Sequence, residues 1–236
     1  MTEEIFRDDA YIKSCEATVV SVDLEGIELD RTVFYPTGGG QPGDVGVLRA
    51  ADGREVAITD TVKSRETGRH LHIPAEDAPA LSSGDTVTAE IDWDRRHKLM
   101  RMHTALHLLC SVVEGGVTGG QIGAEKGRLD FDLPDTALDK DHITAELNRL
   151  IDADHTLACR WITDEEMAAN ADLVRTMSVK PPSGAGKVRL MEIPGVDLQP
   201  CGGTHVGHTG EIGRVRVGKV ENKGKHNRRI NILFDE

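Results

Sequence analysis

Up to about residue 92, apolar positions come in short runs broken by polar ones. Segments 17–22, 26–30, 33–36, 44–50, 55–63, 69–73 and 85–92 are rich in Val, Ile or Thr, and turns such as Asp52-Gly53 and Ser83-Gly84-Asp85 separate them. No helical period persists here, so the pattern predicts successive strands closing into a small barrel or sandwich. Near Asp92 the period changes. Leu99, Met102, Leu106, Leu109 and Val113 recur at spacings of three and four, one apolar stripe of a helix over 94–113. Asp92 or Asp94 can cap its start, and Gly115-Gly116 ends it.

The remainder alternates between the two periods. It predicts a loop at 119–123, a strand at 128–133 and a helix over 140–154 with Ile143, Leu147, Leu150 and Ile151 on one side. A strand at 157–162 then leads to a short helix behind Thr163-Asp164-Glu165-Glu166, which resembles a capping box. A loop at 181–186 precedes strands at 187–193, 212–220 and 227–234. Strands grouped late around two or three helices read as α+β, not as a regular βαβ repeat. The change of period divides the chain into 1–92 and 93–236.

Composition narrows the class. Hydrophobic residues at 38% and charged residues at 29% give a globular balance, and aromatics at 3% leave the core to Val, Leu, Ile and Ala. No apolar run is long enough to span a bilayer, and Met1-Thr2-Glu3-Glu4 lacks the basic start of a signal peptide. Cys15, Cys110, Cys159 and Cys201 are too scattered for a disulfide scaffold, which points to a reducing cytoplasm. The net charge of −12 argues against non-specific coating of nucleic acid. Its distribution says more. Acidic residues dominate 130–172, while 213–230 carries Arg214, Arg216, Lys219, Lys223, Lys225, Arg228 and Arg229 against Glu221 alone. Arg95, Arg96, Lys98 and Arg101 form a second basic group at the start of the long helix. Charge alone fits either a solvated strand edge or a phosphate-contacting surface.

The candidate chemistry lies in two pairs. His103 and His107 stand four residues apart on the long helix, so their side chains share a face at a separation suited to one metal ion. They border the apolar stripe, and Cys110 continues theirs as either a further ligand or a small buried thiol. About a hundred residues later, Cys201-Gly202-Gly203-Thr204-His205 places a thiol and an imidazole around a Gly-Gly turn. Three imidazoles and one thiolate make a complete tetrahedral set for zinc, one ion per chain, tying a helix to a late turn across a cleft. Two further features are expected at that cleft. In Phe34-Tyr35-Pro36-Thr37-Gly38-Gly39-Gly40-Gln41-Pro42-Gly43-Asp44, three consecutive glycines permit close backbone approach and expose N–H groups. The segment is too glycine-rich for an ordinary hairpin and lacks the Lys-Ser/Thr ending of a P-loop. Gln121 is either an amide donor to an oxyanion or a solvent-facing loop residue.

Taken together and in order, these motifs resemble the AlaX family, free-standing relatives of the editing domain of alanyl-tRNA synthetase. The resemblance rests on Pro-Thr-Gly-Gly-Gly-Gln-Pro, His-Thr-Ala-Leu-His, Gln121-Ile122-Gly123, Arg128-Leu129-Asp130-Phe131, Cys-Gly-Gly-Thr-His-Val and the ending 223–230. It covers the chain from about residue 14 and looks like the medium-length class. It implies an N-terminal small β-barrel with the Gly-rich motif, then an α/β two-layer editing domain with a zinc site. It also implies hydrolysis, in trans, of mischarged alanine tRNA, Ser-tRNA(Ala) and Gly-tRNA(Ala), with no membrane and no obligate protein partner. His103, His107, Cys201 and His205 match the family's zinc ligands. Thr37, with Gly38, Gly39 and Gly40, matches the motif that meets the seryl hydroxyl, and Gln121 matches a glutamine of the editing pocket. Lys223, Lys225, Arg228 and Arg229 would face the tRNA. The alternatives are threonine-type editing of Ser-tRNA(Thr) and a zinc-stabilised tRNA-binding module without catalysis.

Overall fold

The computed structural model describes residues 2–133, 138–170, 174 and 186–235. The loop expected at 181–186 falls, except for Gly186, outside the described residues. The chain divides into two compact units, Met1–His97 and Lys98–Glu236.

In the first unit, β1 (Glu3–Glu4) is followed by β2 (Ser14–Asp23), β3 (Gly26–Leu29), β4 (Arg31–Thr32), β5 (Gly46–Ala50), β6 (Glu55–Lys63), β7 (His70–Pro74) and β8 (Thr86–Ile91). Six of them close into a barrel in the order β2-β3-β7-β6-β5-β8, leaving no free edge within it. Alternation builds its interior. Val87, Ala89 and Ile91 of β8 point inward with Leu48, Val56, Ile58, Val19, Ile27 and Leu29. The apolar segment 33–36 is no strand. Val33, Phe34, Tyr35 and Pro36 are buried, but Pro36 has no N–H to give, and the N–H groups of Phe34 and Tyr35 turn to side chains, Thr32 Oγ1 at 3.1 Å and Asp44 Oδ2 at 2.6 Å.

α1 (Trp93–Val112) starts at Asp92, whose carboxylate accepts the Arg95 N–H at 3.0 Å. Every residue from Met102 to Cys110 is buried, so this helix is covered all round in place of presenting the single apolar stripe expected. The second unit continues with β9 (Gly116–Gln121), β10 (Lys126–Asp132), α2 (Lys140–Asp152), β11 (Ala158–Thr163), α3 (Asp164–Ala169), β12 (Lys187–Ile193), β13 (Asp197–Pro200), β14 (Val215–Asn222) and β15 (Asn227–Phe234). They form a four-stranded sheet, β14-β15-β10-β9, and a three-stranded sheet, β11-β12-β13. Residues 119–121, expected in a loop, belong to β9, because Gly119, Gly120 and Gln121 pair with Asp130, Leu129 and Arg128 of β10. Glycine here has a packing reason: a Cβ on Gly127 of β10 would lie 2.8 Å from the Met102 side chain of α1. α2 is bound to β14 through Asn148, which donates to Val215 O at 2.8 Å and accepts the Val215 N–H at 3.1 Å. The capping box at Thr163 and Glu166 opens α3. β13 has no counterpart in the sequence reading, since Asp197, Gln199 and Pro200 suppress a strand signal. β14 starts later than expected because Thr209–Ile212 forms a 3-10 turn.

Candidate metal centre and the Gly-rich segment

His103 and His107 lie one turn apart on α1, and Cys201 and His205 bracket the turn that follows β13. Their ligand atoms all lie within 4.8 Å of one another. Cys201 Sγ is 3.4 Å from His103 Nε2 and 3.2 Å from His205 Nε2. The imidazoles are buried and Cys201 is half-buried.

Neighbouring groups select the ring nitrogen that each imidazole offers. Asp197 Oδ2 accepts His107 Nδ1–H at 2.9 Å and is itself held by the Gln199 amide at 2.8 Å. Thr104 donates its hydroxyl to Met100 O at 3.0 Å, which leaves Oγ1 to accept from His205 Nδ1 at 3.2 Å. With Nδ1 protonated in both rings, each presents Nε2 inward, as a metal-binding imidazole with an outer carboxylate or hydroxyl partner does. Arg189 seats the turn, donating to Cys201 O at 3.0 Å and Gly203 O at 2.9 Å.

The electrostatics favour a thiolate at Cys201. Burial opposes the Cys201 thiolate, but His103 and His205 outweigh it and hold the thiol well below its usual range. Burial keeps His205 well below the usual imidazole range. At His107 the hydrogen bond to Asp197, with the Cys201 thiolate beside the ring, overcomes burial and raises it to about 9, so this ring gives up a proton when its Nε2 takes a cation. A poised thiolate beside three imidazoles is a set of donors that fits a soft or borderline divalent cation. The group could hold a metal ion. Cys110 is buried and lies outside it.

The Gly-rich segment, in the first unit, closes as a tight turn despite its three glycines. Gly38 and Gln41 exchange N–H···O bonds of 3.0 and 2.9 Å, and Gly39 and Gly40 between them take φ of +57° and +84°, the pair of positive φ values that a two-residue hairpin turn requires. Gly39 and Gly40 are exposed. Thr37 is exposed as well. Its Oγ1 accepts the Gly43 N–H at 2.7 Å and reaches Asp60 Oδ1 at 3.4 Å, which leaves an acceptor lone pair. The neck of the segment is fastened from the start of α1. Arg96, 0% exposed, donates through Nε to both Asp44 oxygens at 3.0 and 2.9 Å and through Nη2 to Val33 O at 2.7 Å. Arg95 donates to Gly43 O at 2.8 Å.

The first basic group is engaged within the protein, whereas the late group divides: Arg214, Arg216, Lys219, Lys223 and Lys225 are exposed and Arg228 is buried. Besides Arg95 and Arg96, Lys98 pairs with Glu125, and Arg101 donates to Ile212 O while lying 4.2 Å from the Phe234 ring centroid. In the late group, Arg228 is buried against its own hairpin, bonding Asn222 Oδ1 at 2.9 Å, and Arg229 grips Asp130 at 2.8 and 2.9 Å. Lys223 pairs with Glu221 at 3.0 Å and Lys225 is exposed at the hairpin tip. Gln121 is exposed at the end of β9, with Oε1 3.4 Å from Arg128 Nε. Sequence reasoning missed Asp197, Gln199, Thr104 and Arg189, the groups behind the donors. Only Thr104, inside the His-x-x-x-His spacing, carried a signal.

Comparison with known proteins decides the family. The model for the threonyl and alanyl tRNA synthetase second additional domain matches residues 188–231, and that for class II (A) tRNA synthetases matches residues 5–95. The alanyl-tRNA editing protein AlaX-M of Methanosarcina acetivorans is 38% identical over 98% of this chain and 98% of its own length. The chain belongs to the AlaX family. AlaX-M of Saccharolobus solfataricus is 37% identical with the same coverage, and alanine–tRNA ligase of Sulfurisphaera tokodaii is 36% identical over 93% of this chain and 25% of the ligase. The chain therefore matches only a quarter of that ligase's length. Among the described residues no helix is long and apolar enough to cross a membrane.

Proposed function

We propose that this AlaX protein hydrolyses, in trans, the ester of alanine tRNA wrongly charged with serine or glycine. The observation that carries this is its likeness, over 98% of both chains, to proteins named for alanyl-tRNA editing. The convergent donors His103, His107, Cys201 and His205 support it. The proposal includes one zinc ion per chain on those residues, a barrel domain over 1–92, and a two-layer α/β editing domain over 93–236. It also places the protein in the cytoplasm.

An aminoacyl ester is already activated, so hydrolysis needs a placed water and donors for the oxyanion more than a strong nucleophile. When bound, zinc supplies a fixed positive charge beside the substrate carbonyl. Four protein ligands complete a tetrahedron, which favours a positioning part over an open hydrolytic one. Gln121, whose Oε1 faces Arg128, keeps its amide hydrogens for the oxyanion. The free lone pair of Thr37 accepts the seryl hydroxyl, with the turn of Gly38 and the exposed Gly39 and Gly40 beside it. Alanine has no hydroxyl to offer there, and a synthetase pocket cannot itself reject glycine or fully reject serine. Lys223 and Lys225 serve as the tRNA-facing cations; Arg228 and Arg229 shape the hairpin that carries them.

The test is release of serine from Ser-tRNA(Ala), with Ala-tRNA(Ala) and Ser-tRNA(Thr) beside it. Selective loss from Ser-tRNA(Ala) is expected. Preference for Ser-tRNA(Thr) would make this a threonine-type editor, and tRNA binding without turnover a non-catalytic module.

A further inference from the structure

β11, β12 and β13 set one row of side chains side by side. Trp161 pairs with Arg189. The β12–β13 register, Leu190 opposite Pro200, continues one step further, where the Cys201 N–H donates to Arg189 O at 3.0 Å. Directly paired residues of antiparallel strands share a face. Trp161, Arg189 and Cys201 therefore stand in line, the first and last two strand spacings, about 10 Å, apart. The same face carries Asp197, which holds His107, and Gln199, which holds Asp197. Its reverse carries Ile162, Val188, Leu190 and Leu198, which pack with Met167 of α3.

Trp161 thus lies at the open edge of the sheet, on the face turned to the His/Cys cluster, and the residue is 47% exposed. The other tryptophan, Trp93, is engaged by His97, Tyr11 and Lys13. In line with a cluster ligand, this indole offers a flat aromatic face beside the donors. Lys187, exposed and paired with Thr163, puts a cation on the same face one step beyond Trp161. An aromatic plane beside a cation is what single-stranded RNA binds: each base offers a π-face and each linkage a negative charge.

We propose that Trp161 is the stacking platform for a nucleobase at the 3′ end of the acylated tRNA, and that Lys187 meets an adjoining phosphate. The proposal rests on the chain being an aminoacyl-tRNA hydrolase. The row gives it direction: a base on Trp161 lets the ester on the terminal ribose extend over Arg189 toward Cys201. Because stacking is indifferent to base identity, the platform adds affinity for a tRNA end without selecting the tRNA.

Two readouts test it. In deacylation of Ser-tRNA(Ala), Trp161→Ala raises KM about 5- to 160-fold, the range for losing one stacked base, with kcat little changed; Trp161→Phe restores most of it. In a Trp93→Phe background, where Trp161 is the sole tryptophan, uncharged tRNA(Ala) quenches its fluorescence, and the same tRNA lacking its 3′-terminal nucleotides does not. An unchanged KM in Trp161→Ala, or equal quenching by both RNAs, overturns the proposal. A wild-type protein that releases no serine overturns the hydrolase reading, while the quenching still decides whether Trp161 meets the RNA end.

Discussion

In the second unit the donors are side-chain atoms aimed by regular elements. Two ride a turn apart on α1, two flank a Gly-Gly turn after β13, and a second layer of Asp197, Gln199 and Thr104 fixes the rings. In the first unit the Gly-rich segment offers mostly backbone, and a buried ion pair closes its neck. Tyr35 and Asp44 bond each other across the neck, and Arg96 binds Asp44 from below. A set of side-chain donors tolerates no change of residue type but little depends on any one backbone bond. A backbone cradle is the reverse: its own side chains are small, and its shape depends on one arginine far away in sequence.

Substitutions separate the two. The largest effect is expected from His103→Ala or Cys201→Ala, which abolish stoichiometric zinc and slow serine release by more than roughly 100-fold, beyond the upper end for disturbing only an outer partner of a ligand. Zinc analysis beside single-turnover deacylation checks this, and full activity in a zinc-free variant would detach the cluster from the chemistry. Next is Arg96→Met, which strands the Asp44 carboxylate in the interior at a cost of about 3–5 kcal/mol in urea unfolding. Arg96→Met with Asp44→Leu should recover part of that loss. If the single variant unfolds like wild type, the neck is not held as described.

A smaller effect concerns acidity in the barrel wall behind the segment. Burial, with His70 adjacent, pushes His72 down to about 3, while its ring bonds Thr32 Oγ1 at 2.8 Å and Ile27 O at 3.0 Å. The unfolded chain takes up this proton below about 6.5 and the folded barrel does not until about 3. Stability is thus intact above pH 6.5 and falls by up to about 1.4 kcal/mol per unit below it. His72→Gln should flatten that slope in urea titrations from pH 7 to 5. The smallest effect is Thr37→Val: selectivity for Ser-tRNA(Ala) over Ala-tRNA(Ala) should fall about 2- to 10-fold, the worth of one neutral hydrogen bond. Unchanged selectivity would remove Thr37 from recognition.

How much of this was legible in the sequence follows the same division. Barrel strands such as β6 and β8 announce themselves by alternation, since each has one wet face, and the zinc-like donors by a four-residue spacing that only a helix makes meaningful. Arg95 and Arg96 misled, because a basic run at a helix start looks like surface until Asp44 and the Gly43 carbonyl arrive from fifty residues away. Arg228 and Arg229 are similar: their partners, Asn222 and Asp130, depend on strand register that no local pattern encodes. Gln121 lies in a glycine-rich stretch that pairs as a strand, with the Asp130 and Leu129 side chains of β10 lying over Gly119 and Gly120. Trp161 looked like an ordinary strand residue, and only the register of three strands aligns it with Cys201.

The most direct test of the account is a cobalt titration of the metal-free protein beside its Cys201→Ser variant. The account predicts one equivalent bound in a tetrahedral spectrum carrying thiolate-to-cobalt charge-transfer absorption, which the variant loses. Zinc should displace the cobalt from wild type. Binding of no metal, or a spectrum without the thiolate band in the unaltered protein, would contradict a centre built from His103, His107, Cys201 and His205.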